Sequence, residues 1–360
     1  MARVALIFLT LVLPVMAFVA GTWMHFAGVT GVGWWLIPAL LVGGFLPAML
    51  LGFRVQHRLL RVFTRVTAIV FGFLTYGLIA ALACWVVAGV ARLAGWPIGR
   101  RTLAEIVYGA AVLVVAYGLV NAAWIRVTRV KVALPNLPAA WKGRTVVVIS
   151  DVHLGNVRGR RFARRIVTRV MRLRPDAVFI VGDMFDGARL DVDAVVQPWS
   201  ELIAPQGVFF VGGNHDEFDD RRPLFAALRR VGLRVLDNEK VEVEGLQIAG
   251  VHDDEAGEPE RYREILRGMQ IDPTRASILL AHRPSNLEVP AAAGISLQVS
   301  GHTHGGQFWP WSQVVSRVHG RFARGLNRLG AMWVYTSTGV GTWGPPVRVG
   351  TRAEVVAIQL

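Results

Sequence analysis

The run Gly301-His302-Thr303-His304-Gly305-Gly306-Gln307 follows the apolar stretch 295–299 and sets two imidazoles two residues apart in a frame of glycines. Glycine lets the backbone reverse tightly close to a bound group, and paired imidazoles are common metal ligands. Taken alone, the run fits a glycine-rich turn with two exposed histidines equally well. The same punctuation recurs upstream, and that recurrence decides the fold. Apolar runs at 145–149, 177–181, 207–211, 246–251, 277–280 and 295–299 alternate with helix-like stretches, the pattern of buried strands in an α/β fold. The first is followed by Asp151-Val152-His153, the second by Gly182-Asp183 and the third by Gly212-Gly213-Asn214-His215-Asp216. The fifth leads into His282, and the last into the run quoted above.

Ligand sites in α/β sheets form beyond the carboxyl ends of the strands, so these groups are expected to converge in one crevice. Five of the nine histidines fall in them. Singly, each residue has an ordinary role: Asp183 and Asn214 as turn formers, Asp216 as a helix cap, His282 as a solvated loop residue. One such set at strand end after strand end is what points to a site.

At 53% hydrophobic residues the 360-residue chain is too apolar for an ordinary soluble protein, and the excess sits in the first third. Four segments, 4–22, 32–53, 66–90 and 103–124, are long enough to cross a bilayer core of about 30 Å, and Pro14, Pro38 and Pro47 inside them suit a bilayer better than water. Arg3, then Arg54, Arg58, Arg61 and Arg65, then Arg126, Arg129 and Lys131 fall on one side. Only Arg92, Arg100 and Arg101 fall on the other. That asymmetry predicts a cytoplasmic N-terminus and a cytoplasmic C-terminal domain. A cleaved signal peptide is the other reading of the first segment, because 17–21 is rich in small residues. No ionisable group lies within the span interiors, so anchoring is favoured over transport.

The rest divides into a linker with a β-branched run, 125–143, and a globular domain, 144–360. The lone Cys84 excludes a disulfide scaffold and a thiolate zinc site. The formal net charge of +14 comes without aromatic-interleaved basic motifs, so an anionic membrane surface, not nucleic acid, is the expected acidic partner. Eight arginines between Arg158 and Arg174 crowd a predicted helix whose Phe162, Ile166 and Val170 form an apolar stripe. The sequence Phe308-Trp309-Pro310-Trp311 reads as an apolar wall beside the site, as a segment dipping into a lipid interface, or as core. His252-Asp253-Asp254 reads as a crevice rim or a solvated acidic turn.

Together, Asp151-Val152-His153, Gly182-Asp183, Gly213-Asn214-His215-Asp216, His282 and Gly301-His302-Thr303-His304 resemble the motif set of the calcineurin-like metallophosphoesterases, from about residue 140 to the end. The extension Gly305-Gly306-Gln307 and the late stretch 339–348 are similar to a membrane-associated bacterial subgroup that includes pyrophosphatases cleaving UDP-2,3-diacylglucosamine. The resemblance implies a four-layer α/β/β/α sandwich behind four transmembrane helices. It also implies two divalent metal ions, one on Asp151, His153 and His304, the other on Asn214, His282 and His302, with Asp183 bridging. Mixed carboxylate, amide and imidazole donors suit Mn²⁺, the expected metal, or Fe or Zn²⁺. Two such ions lower the pKa of a shared water for attack on phosphorus. His215 is then expected to protonate the leaving oxygen or stabilise its charge, with Asp216 orienting its ring. The implied substrate is a phosphodiester or pyrophosphate, on a lipid or, alternatively, a soluble one such as a cyclic nucleotide. An inactive metal-binding scaffold and a transporter with a regulatory domain are the remaining alternatives.

Overall fold

The computed structural model describes residues 2–52, 55, 57–186, 191–217 and 220–360, and the chain divides into two compact units. The first comprises Met1–Asn121 with Gly344–Val349, the second Ala122–Trp343 with Gly350–Leu360. Unit one holds the helices α1 (Ala2–Ala27), α2 (Gly33–Gly43), α3 (Phe45–Gly52), α4 (Arg58–Ala94) and all but the last two residues of α5 (Arg100–Ala123). Among the described residues, four segments are long and apolar enough to cross a membrane, α2 and α3 counting as one. That pair corresponds to the predicted span 32–53 and is broken at Gly44, where Pro47 has no N–H to carry the helical ladder back to Gly43. Phe53 and Arg54 lie outside the described residues. The third predicted span extends in both directions: α4 has 37 residues, about 55 Å, and its first turns take up Arg58, Arg61 and Arg65, expected between the spans. Cys84 is buried in α4.

A late segment belongs to this unit. The Arg348 amide donates to the Gly118 carbonyl at 3.0 Å, and Asn121 Nδ2 donates to the Arg348 carbonyl at 2.8 Å. Gly72 and Gly118 make room for it: a Cβ at Gly72 would lie 3.0 Å from Pro345, and one at Gly118 3.0 Å from Val349.

Unit two contains two six-stranded sheets. One runs in the order β1-β12-β2-β3-β4-β5, built from β1 (Arg126–Lys131), β2 (Thr145–Ile149), β3 (Ala177–Val181), β4 (Val208–Val211), β5 (Arg234–Val235) and β12 (Glu354–Gln359). The other runs β10-β11-β9-β8-β7-β6, from β6 (Glu239–Val243), β7 (Leu246–Val251), β8 (Ser277–Ala281), β9 (Leu297–Ser300), β10 (Gly325–Leu329) and β11 (Met332–Thr336). The sequence reading took 125–143 for a linker with one strand. That strand, β1, pairs in parallel with β12 at the edge of the first sheet.

Helices cover the outer face of each sheet. On the first lie α6 (Arg160–Met171), α7 (Val192–Val196) and α8 (Arg222–Arg230); on the second α9 (Asp253–Gly257), α10 (Pro259–Gly268) and α11 (Glu288–Ala292). The last helix is α12 (Trp311–His319). Alternation along each strand makes four layers from apolar runs. Val146, Val148, Phe179 and Val181 face Ile248, Ile278, Leu280 and Val299 in the middle, whereas Val147, Ile149, Val178 and Ile180 face Phe162, Ile166 and Val170 of α6. The stripe predicted on α6 is buried, and Arg160, Arg161, Arg164 and Arg165 are exposed. Strands covered on both faces carry no polar alternation, which is why they read as unbroken apolar runs.

Candidate metal centre

Parallel pairing of β2, β3 and β4 brings their carboxyl ends level: Ile149 pairs with Ile180, and Val181 with Val211. β8 and β9 are likewise in register, Leu280 opposite Val299, and the Gly301 amide continues the ladder to the His282 carbonyl at 2.8 Å. The chain then turns sharply at each end. Asp151, His153, Asp183, His302 and His304 all have positive φ, between 49° and 68°, a region that non-glycine residues rarely occupy and that collects at functional sites.

Those turns bring the predicted residues together. Ligand atoms of Asp151, His153 and His304 form one group and those of Asp183, His282 and His302 a second, each with its atoms within 4.8 Å of one another. In the first, His153 Nε2 faces His304 Nε2 at 3.0 Å, close to the spacing of two nitrogens each about 2.1 Å from a common ion, and His304 Nε2 is 3.5 Å from Asp151 Oδ1. Asp183 stands between the groups. Its Oδ2 is 3.1 Å from His282 Nε2 and 3.7 Å from His153 Nε2, while Oδ1 accepts the His215 amide at 2.9 Å. His282 Nδ1 faces the Val181 carbonyl at 2.9 Å, which fixes the proton on that nitrogen and turns Nε2 to the centre. Nε2 forms no hydrogen bond although it lies 3.1 Å from Asp183 Oδ2, and the Asn214 side-chain oxygen is likewise buried without a hydrogen-bond partner. Two orphaned donors among buried carboxylates and imidazoles fit a cation.

Proton affinities tell the same story. Burial alone would raise Asp183, but His282, then His153 and His215, hold it well below the usual carboxylate range. Asp151 is raised by burial and by the neighbouring Asp183 against the pull of His282. His282, opposed by burial, is lifted well above its ordinary value by Asp183. Burial and the charge on His282 push His302 down to about 3. Buried, opposed charges share protons here where divalent cations would neutralise the carboxylates.

The structure gives Asp216 a different task from the one expected. Its two oxygens accept backbone amides of Gly213 at 3.0 Å, Phe185 at 3.0 Å and Met184 at 3.2 Å, so it ties the β3 and β4 loops together rather than orienting His215. Burial and Asp183 raise it to about 7. The carboxylate that His215 shares a group with is Asp186, which also holds His153 Nδ1 at 2.7 Å. Sequence reasoning missed Asp186, whose only trace is its place three residues after Asp183. The Gln307 side chain donates its amide to the Trp343 carbonyl at 3.1 Å and accepts the Trp343 amide at 2.9 Å, which sets the indole 6.3 Å from the His215 ring. Residues 339–343 back the centre, as the Gly341 amide donates to the Asp151 carbonyl at 2.7 Å, and a Cβ at Gly339 would lie 2.6 Å from that of Asp151. His252 and Asp253 are buried, not on a rim: His252 faces Glu217 at 3.1 Å and Asp237 at 2.8 Å.

Two packed sheets with carboxylate, amide and imidazole side chains meeting at their strand ends define a metal-dependent phosphoesterase of the calcineurin-like kind. Residues 144–306 match the calcineurin-like phosphoesterase family, to which the chain belongs. A metallophosphoesterase of Aquifex aeolicus is 34% identical over 261 residues, 69% of this chain and 97% of that protein. A Danio rerio transmembrane protein with a metallophosphoesterase domain is 32% identical over 72% of this chain and 63% of its own length. A Campylobacter jejuni metallophosphoesterase is 32% identical over 65% of this chain, again 63% of the relative. The match thus spans about three fifths of the latter two proteins.

Proposed function

We propose that this chain is a membrane-anchored, two-metal phosphohydrolase that cleaves a phosphodiester or pyrophosphate bond on a lipid-linked substrate, with its catalytic domain in the cytoplasm. The observation that carries the reading is the placing of Asp183 between two groups of buried and half-buried side chains, with the Asn214 oxygen and His282 Nε2 beside it making no hydrogen bond. Asp151, His153 and His304 would hold one divalent ion, Asn214, His282 and His302 the other, and Asp183 both. Manganese is the expected metal, with iron or zinc as substitutes. When bound, the pair supplies a water of lowered pKa and neutralises charge on the phosphoryl oxygens. His215 is half-buried at the edge of the groups and not needed as a ligand, and it delivers a proton to the leaving oxygen. Asp186 holds His153 as a ligand-orienting carboxylate. Support for a lipid substrate comes from the aromatic side chains around the centre: Trp343 next to His215, 58% exposed, and the exposed Trp309 after the ligand loop. The arginine asymmetry of the loops supports the cytoplasmic side.

The test is turnover by detergent-purified protein, stripped with a chelator and reloaded with Mn²⁺, against a bis-aryl phosphodiester, a phosphomonoester, cyclic nucleotides and nucleotide-diphospho-lipids. Reloading should restore activity, highest on the lipid substrate. Equal turnover of the delipidated head group would remove the lipid from the reading; a fully metallated protein that cleaves no phosphate ester would remove the enzyme.

A further inference from the structure

Helix α12 starts five residues after Gly306 of the ligand loop, and it packs there: a Cβ on Gly306 would lie 2.6 Å from the Ser312 amide. None of its nine residues is buried. Ser312, Val315 and His319, at i, i+3 and i+7, are half-buried and form the stripe turned to the domain. Trp311, Val314 and Val318 form the neighbouring stripe by the same spacing, and they are 51%, 48% and 72% exposed. Trp309, 47% exposed, precedes them. Val314 and Val318 are thus turned away from the stripe that packs on the domain, with Trp309 and Trp311 half-exposed beside them, and on a protein dissolved in water that apolar surface would be a liability.

The charges around it choose an occupant. Arg317, Arg321 and Arg324 are exposed, and among the described residues none of them pairs with a carboxylate. Tryptophan and valine on one stripe with arginine alongside is the composition of a helix lying in a lipid interface, where indoles sit at headgroup level and arginines meet anionic lipid.

We propose that the Trp309, Trp311, Val314 and Val318 face of α12 docks on an anionic bilayer surface, so that the element following the ligand loop is itself seated in the headgroup region. This rests on the reading that the chain is membrane-anchored, but not on any substrate. Its consequence is that a lipid substrate would not need to leave the interface to approach the metal centre.

Nitroxide depth measurements on the full chain test it. In a Cys84→Ser background, which removes the one native thiol, Val314→Cys, Val318→Cys, Ser316→Cys and Leu113→Cys are made singly and labelled, and the protein is placed in nanodiscs of phosphatidylcholine with or without phosphatidylglycerol. Position 113 lies on α5 and is 71% exposed, so anchoring alone puts it in lipid. In anionic discs, labels at 314 and 318 should collide with oxygen and be at least about threefold less accessible to a water-soluble nickel complex than the label at 316, on the opposite side of the helix. The protection should fall in neutral discs and at high salt. Lipid contact at 113 with full nickel access at 314 and 318 overturns the docking and leaves the anchor standing. Water at 113 overturns both. Spin–spin broadening between labels at 318 would show a second copy covering the face, and would also overturn the proposal.

Discussion

Gly182→Ala tests whether the centre needs its imidazoles where the turns put them. Gly182 has φ +73°, and a Cβ there would meet the His282 ring, 2.6 Å from Cγ, and the Gly213 Cα at 2.8 Å. Two effects must be separated. Any alanine at such a φ costs about 1–2 kcal/mol, which for a domain of this size lowers Tm by roughly 2–8 °C. The second effect is local: carbon atoms rest about 3.5 Å apart, so the ring must retreat by about 1 Å, several times the roughly 0.2 Å that a metal–ligand distance tolerates. Gly232→Ala isolates the first effect, because Gly232 has φ +90° and nothing within 4 Å of its Cβ position. Gly232→Ala should therefore lose only the first increment of stability, while Gly182→Ala loses that increment, a further one from the clash, and metal. Measured by elemental mass spectrometry after reloading and desalting, wild type and Gly232→Ala should hold about two ions per chain and Gly182→Ala about one or fewer. If Gly182→Ala keeps both ions at the affinity of Gly232→Ala, His282 is not a ligand and the assignment of the second group falls.

Two further substitutions divide the remaining roles. Asp183→Ala removes the carboxylate common to both groups and should empty both positions in the same measurement; a variant with full metal content would contradict the bridge. His215→Ala should retain both ions and lose about 10²–10⁴ in kcat, the range for a proton donor. Loss of metal in that variant would instead make His215 a ligand, a role its grouping with His153 and Asp186 keeps within reach.

Much of this was legible because parallel strands buried on both faces leave an uninterrupted apolar run, so each run's end is visible and with it the residue that follows. Asp151, Asp183, Asn214, His282 and the His302/His304 pair could be named for that reason. What local pattern hides is contact at long range. β12 enters the first sheet between β1 and β2, and nothing in residues 354–359 announces that neighbour. The Gln307–Trp343 pair joins residues 36 apart. Asp216 was misread because an aspartate after an asparagine and a histidine has two equal uses, a side-chain partner or a backbone one, and only the β3 loop folded against it decides. Helix α4 was cut short because hydropathy marks where lipid would begin, whereas the helix continues through Arg58, Arg61 and Arg65, for which a helical backbone costs little.

The two sheets also explain why the centre needs the whole sandwich. Asp151, His153, Asp183 and Asn214 leave the first sheet, and His282, His302 and His304 leave the second. Each ligand group draws on both: Asp151 and His153 with His304, and Asp183 with His282 and His302. On the proposed assignment neither sheet would hold either ion by itself, so each bound ion would also be a clamp across the middle layer, where Phe179 and Val181 meet Leu280 and Val299. Binding free energy at such a centre is folding free energy for the pair of sheets. Burial raises Asp151, while the neighbouring imidazoles hold Asp183 low, and a divalent cation would supply the positive charge that both carboxylates favour. The turns with positive φ at Asp151, His153, Asp183, His302 and His304 are held by the ladders that end in them, and bound ions would hold them from the other side.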